Sequence, residues 1–138
     1  MKKLKIVLLL IISICLITGC DKKKELILDC KTTVEDSGEN IRIKFYSNDT
    51  AIRTVTLDKD PLTSDEDIKK MSDSLEQNYC NNQIKEDYSC EVLPARKEIV
   101  LTEKGKSNVL MGETKKISID KYKKNLKNKG FNCKSIEK

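Results

Sequence analysis

"IRIKFYSNDTAIRTVTLD", residues 41–58, is built on a period of two. Ile41, Ile43 and Phe45 alternate with Arg42, Lys44 and Tyr46, which gives an extended chain one apolar and one polar side. Ser47-Asn48-Asp49-Thr50 then supplies turn chemistry, because Asn and Asp tolerate left-handed backbone and bond to nearby amides. "AIRTVTLD", residues 51–58, is rich in β-branched residues and reads as the next strand. Upstream, Leu26, Leu28, Cys30, Thr32 and Val34 alternate with Ile27, Asp29, Lys31 and Thr33, and Glu35 to Asn40 is a second polar turn. Three successive strands with short connections predict an antiparallel meander.

At Ser64 the period changes. Ser64-Asp65-Glu66-Asp67 resembles a capping box with Asp in place of Glu, and its acids suit the positive end of a helix dipole. Ile68, Met71, Leu75 and Tyr79 follow at helical spacing, a narrow stripe suited to covering a sheet. Tyr88, Cys90 and Val92 alternate again, "EIVLTEKG" (98–105) reads as a further strand, and Val109 to Met111 is expected to extend the same sheet. A second helix is expected from the Ser118 cap through Ile119, Tyr122 and Leu126, with Gly130 at a left-handed C′ position and Phe131 folding back. The expected fold is a single α+β domain over 26–138, an antiparallel sheet of about four to six strands with two helices packed on it.

The N-terminus is of another kind. Met1-Lys2-Lys3-Leu4-Lys5 is basic, and the apolar core from Ile6 to Ile17 is too short for the roughly 20 residues of a membrane-spanning helix. It ends in Ile17-Thr18-Gly19-Cys20, which resembles a bacterial lipobox: an aliphatic residue, two small ones, then the cysteine. The resemblance implies a signal peptide over 1–19, cleavage before Cys20, and a diacylglyceryl group on its sulfur. Each buried methylene contributes about 0.8 kcal/mol, so two chains hold a protein on a bilayer where one holds it marginally. Residues 20–25 would then be a charged tether, and the protein a lipid-anchored one on the extracytoplasmic face of the cell membrane. An uncleaved signal anchor is the alternative.

Removal of 1–19 takes three lysines from the formal +5 and leaves 24 basic against 22 acidic residues, or +2. A chain 36% charged but so nearly balanced reads as a well-solvated surface and carries no overall basic footprint for nucleic acid. Histidine is absent, which removes the commonest general base and metal ligand and every nucleophile arrangement that depends on one. Cys15 lies in the segment expected to be discarded, and Cys20 is the lipidation site. Cys30, Cys80, Cys90 and Cys133 remain, an even number that reads as two disulfides in an exported domain. Four cysteines allow three connectivities. The element order favours Cys30 with Cys133 and Cys80 with Cys90; without a C-x-x-C, redox and zinc chemistry have little support.

Other motifs carry less. "DKDPLTSDED", residues 58–67, concentrates carboxylates but lacks the ligand order and central glycine of a calcium loop, and an acid-rich helix start explains it. "KKISIDKYKKNLKNK", residues 115–129, holds seven lysines and reads first as a solvated helix face. Asn48-Asp49-Thr50 matches a glycosylation sequon in form only. The order of lipobox, charged tether, strands, helix, strands and the closing "SIDKYKKNLKNKGFNC" (118–133) resembles the YehR-like family of small bacterial lipoproteins. That resemblance implies helices against an antiparallel sheet and carries over no active site. The expected function is a noncatalytic binding or interaction module without metal or cofactor, its partners the membrane through Cys20 and a protein or envelope component. The alternative is an envelope-acting enzyme or redox protein using carboxylates or thiols.

Overall fold

The computed structural model describes residues 24–58, 63–80, 85–94 and 98–136; the expected signal peptide and Cys20 lie outside them. Alternating sequence becomes six strands: β1 (Leu26–Val34), β2 (Glu39–Tyr46), β3 (Thr50–Asp58), β4 (Ser89–Pro94), β5 (Glu98–Lys106) and β6 (Asn132–Ser135). Every pairing is antiparallel, in the order β4-β5-β3-β2-β1-β6. The helices are α1 (Asp65–Tyr79), α2 (Ser107–Leu110) and α3 (Ile119–Asn128). The fold is α+β, as the changes of period predict.

Cross-strand partners share a face of a sheet. One such row runs Cys133, Cys30, Ile43, Arg53, Glu103 and Cys90 from edge to edge. The buried residues of the sheet belong to this face, and the helices cover it in two patches. Tyr122 and Leu126 of α3 pack with Leu28, Cys30, Ile43, Phe45 and Ala51, with the Tyr122 and Phe45 rings stacked at 5.0 Å. Leu75 of α1 packs with Val55, Ile99 and Leu101. Both long helices begin at a serine cap, Ser64 Oγ accepting from the Asp67 amide and Ser118 Oγ from the Lys121 amide. At the end of α3, Gly130 takes φ +89° and the Phe131 amide donates to the Leu126 carbonyl, the expected left-handed stop.

Four details depart from the sequence reading. Val109 is not in a strand: by Lys106, β5 has paired along all of β3, so no ladder remains, and the chain coils into α2 and buries Leu110. β6 is an added strand whose sequence, Asn-Cys-Lys-Ser, has no alternation long enough to announce it. Met71 is 37% exposed, because α1 covers the sheet only along the line of Leu75. Finally, the register of β1 shifts between Leu26 and Leu28, a bulge that turns Ile27 from the polar side onto the core.

Candidate functional site

Cys30 and Cys133 are cross-strand partners joined by a disulfide that fastens β6 to β1. A second disulfide joins Cys80, at the end of α1, to Cys90 in β4. Both bridges lie at the margins of the covered face and hold a helix or edge strand in place. Their sulfurs are committed, and among the described residues no group of His, Cys, Asp or Glu side chains is arranged to hold a metal ion.

Between the two apolar patches lies a polar cluster the sequence reading missed. Glu103 is fully buried and paired with Arg53, its cross-strand neighbour, whose Nε donates to Oε2. Tyr88 Oη donates to the other Glu103 oxygen at 2.5 Å, and the Arg53 guanidinium sits 5.2 Å over the Tyr79 ring. Tyr79 Oη donates to Glu39 at 2.8 Å. Burial first, then the bond to Glu39 and that carboxylate's charge, push the Tyr79 phenol up to about 12, with Arg53 opposing. It stays a protonated donor at neutral pH. Gly105 makes room for the arrangement, since a Cβ there would meet the Tyr88 ring at 3.2 Å. With both carboxylate oxygens engaged and no exposed surface, Glu103 is placed to fix the packing of β3, β5 and α1 and not to meet substrate.

Among the described residues no helix covers the opposite face of the sheet, and none of its side chains is buried. Its central row is Asn132, Lys31, Arg42, Thr54, Thr102 and Glu91. Over β1–β3 the twist forms a shallow concavity of about 800 Å3, lined by Lys31, Arg42 and Lys44 with Thr33, Thr54 and Thr56. Among the described residues no carboxylate lines it. Asp29 stands at its margin, where Arg42 grips it through two hydrogen bonds of 2.9 and 2.5 Å. That grip, helped by the charges of Arg42, Lys44 and Lys31 and opposed by burial, holds the Asp29 carboxyl below the usual carboxylate range. Strand alternation has thus gathered Lys31, Arg42 and Lys44 on one side of the sheet.

A third feature lies at the end of the domain where the chain enters β1. Glu25 and Ser47 bond to each other, and the Lys24 ammonium sits 4.3 Å over the Tyr46 ring. Beside them a cavity of about 580 Å3 is walled by Ile27, Tyr46, Ile117, Ile119 and Tyr122. Lys106 pairs with Asp87 at 4.0 Å and Lys116 with Asp49 at 2.8 Å along its lining. Tyr122 is 3% exposed, and its hydroxyl oxygen is buried beside the Ile117 backbone. Burial first, then the charges of Glu113 and Asp49, raise the pKa of this phenol against the pull of the Ile117 backbone.

The lysines of 115–129 are spread over the exposed side of α3 and the segment before it, as the solvated reading has it, and Lys116 alone reaches the cavity. Asp65 to Asp67 form the acidic first turn of α1. No family model, curated protein or solved structure matches this chain. Among the described residues no helix is long and apolar enough to cross a membrane.

Proposed function

We propose that the protein is a lipid-anchored, extracytoplasmic lipoprotein whose domain is a noncatalytic binding module, with the uncovered cationic sheet face as its principal binding surface. The observation that carries the reading is that face: Lys31 and Lys44, with Arg42 paired to Asp29 at the margin, around a concavity with neutral hydrogen-bonding groups and, among the described residues, no carboxylate in its lining. Such a surface suits an anionic envelope partner, drawn in by charge and held by threonine and amide hydrogen bonds. The lipobox sequence and the two disulfides support export and anchoring. The enzyme alternative would need Glu103 or a cysteine as its reactive group. Against it, Glu103 is sealed by Arg53 and Tyr88, and the four cysteines of the domain are bonded in pairs.

The test has two parts. Cells fed a clickable fatty acid should label the wild-type protein, and Cys20→Ala should leave an unlabelled, unprocessed precursor. Normal maturation of that variant would sink the anchor. Wild-type protein extracted from membranes should also retain an anionic envelope component that Lys31→Glu/Lys44→Glu releases. Equal retention by both would remove the open face from the proposal.

A further inference from the structure

We infer that the concavity on the open sheet face binds a hydroxyl-rich phosphodiester polymer, polyol or sugar units joined through phosphates, laid along β1–β3 with a phosphate on Lys31 and Lys44 and its neutral units against Thr54 and Thr56. The inference rests on the binding surface proposed above and names what that surface takes. Register divides the site into rows. Lys44 lies opposite Ile52, Arg42 opposite Thr54, and Asn40 opposite Thr56. At about 3.4 Å per residue, the first row and the third are roughly 14 Å apart. Cations hold one end, where Lys31 is the partner of Arg42; hydroxyl and amide groups hold the other, where Thr33 is the partner of Asn40. A ligand complementary to that gradient carries an anionic group and a neutral hydrogen-bonding unit within one short span. A phosphodiester polymer repeats the two along its length, and repeated weak contacts suit a shallow site better than a single small anion does.

The side chains at each end are set for these roles. Asp29 engages Arg42 through Nε and Nη2, which fixes the guanidinium and leaves Nη1 outside the pair. Lys31 and Lys44 join no ion pair among the described residues. The Asp29 carboxylate repels an anion centred on the margin, so the phosphate sits inside the concavity, towards the two lysines. At the neutral end Thr33 Oγ1 donates to Asn40 Oδ1 at 2.8 Å, which orients that amide with Nδ2 left to donate. Shape and composition choose among polyanions. A hollow of about 800 Å3 follows a chain, whereas a flat bilayer would meet only its rim. Nucleic acid would bring bases to stack, yet Tyr46 is the one aromatic among the described lining residues, and Lys24 sits over its ring.

The experiment uses the full chain in phosphatidylcholine vesicles, with a water-soluble acetylating reagent to read which lysines a ligand covers. Poly(glycerol phosphate) should protect Lys31 and Lys44 and leave Lys127, exposed on α3, as the unprotected reference. It should do so at about tenfold lower concentration than an inorganic polyphosphate of equal charge, the worth of its hydroxyl hydrogen bonds. Thr54→Val/Thr56→Val, which keeps the β-branched shape of both strand residues, should cost poly(glycerol phosphate) that tenfold advantage and leave polyphosphate unchanged. Equal protection by the two polymers, or no effect of the threonine changes, overturns the inference while the anionic partner stands. Protection by a single-stranded oligonucleotide at lower concentration than poly(glycerol phosphate) overturns it in favour of nucleic acid. Protection without polymer in vesicles of phosphatidylglycerol and phosphatidylcholine in equal parts overturns it in favour of the bilayer. Absence of protection by every anionic probe overturns both the inference and the binding surface it rests on.

Discussion

Removing the two disulfides one at a time should destabilise the domain unequally. Cys30 and Cys133 are 103 residues apart, and Cys80 and Cys90 are 10 apart. On the chain-entropy account these loops correspond to about 4.7 and 2.7 kcal/mol of constraint on the unfolded chain. Cys30 is fully buried and Cys133 nearly so, whereas Cys80 and Cys90 are only half-buried, so loss of the sulfurs adds a packing defect mainly to the first pair. Cys30→Ala/Cys133→Ala should therefore cost about 5–6 kcal/mol, and Cys80→Ala/Cys90→Ala about 3 kcal/mol. For a domain of this size that is roughly 20 °C and 12 °C in Tm. Urea denaturation followed by circular dichroism, with each double variant beside the parent, reads both. Equal losses, or a larger loss from Cys80 and Cys90, would refute the argument that loop length and burial rank the bridges. The native fold of the first variant, read by amide protection of β1, should fail at β6 first, since β6 pairs only with β1.

Three further outcomes follow from the same structure. Arg53→Met alone should cost about 3–5 kcal/mol by stranding Glu103, while Arg53→Met/Glu103→Leu should recover most of it; a double variant no better than the single would show that the pair is not the cause. Because the Tyr79 phenol is raised to about 12, its contribution to stability is complete below the unfolded value near 10 and is lost as pH rises from there towards 12. Tyr79→Phe should flatten that decline in denaturation curves at pH 9 and 11, and an unchanged slope would reject the assignment. Ser118→Ala should cost about 1 kcal/mol by leaving the Lys121 amide uncapped, and Ser118→Asp should restore it; melting curves of the two variants give the comparison.

The strands and helices were largely legible because their causes are local. Alternation at Ile41, Ile43 and Phe45, the serines at 64 and 118, and the glycine at 130 each act within a few residues, and the structure uses each as its neighbours require. β6 was not legible, since a four-residue strand with one buried side chain exists only because β1 offers it an edge. The same holds for Ile27: no residue type signals a bulge whose effect is to shift one register against another.

The candidate sites divide along the same line. The amino-acid sequence set the fold class, the even cysteine count and the lack of histidine, all properties of composition or short spacing. Pairing of Arg53 with Glu103, 50 residues away, depended on the registry of β3 with β5. Collection of Lys31, Arg42 and Lys44 around Asp29 depended on β1 and β2 lying side by side. The cavity around Tyr122 needed Ile27, Tyr46 and Ile117 to meet from three separate segments. Charge balance along a chain says nothing of where alternation will send each sign. That distribution arises only when the sheet closes, because burial selects one face of every strand and leaves the other to water.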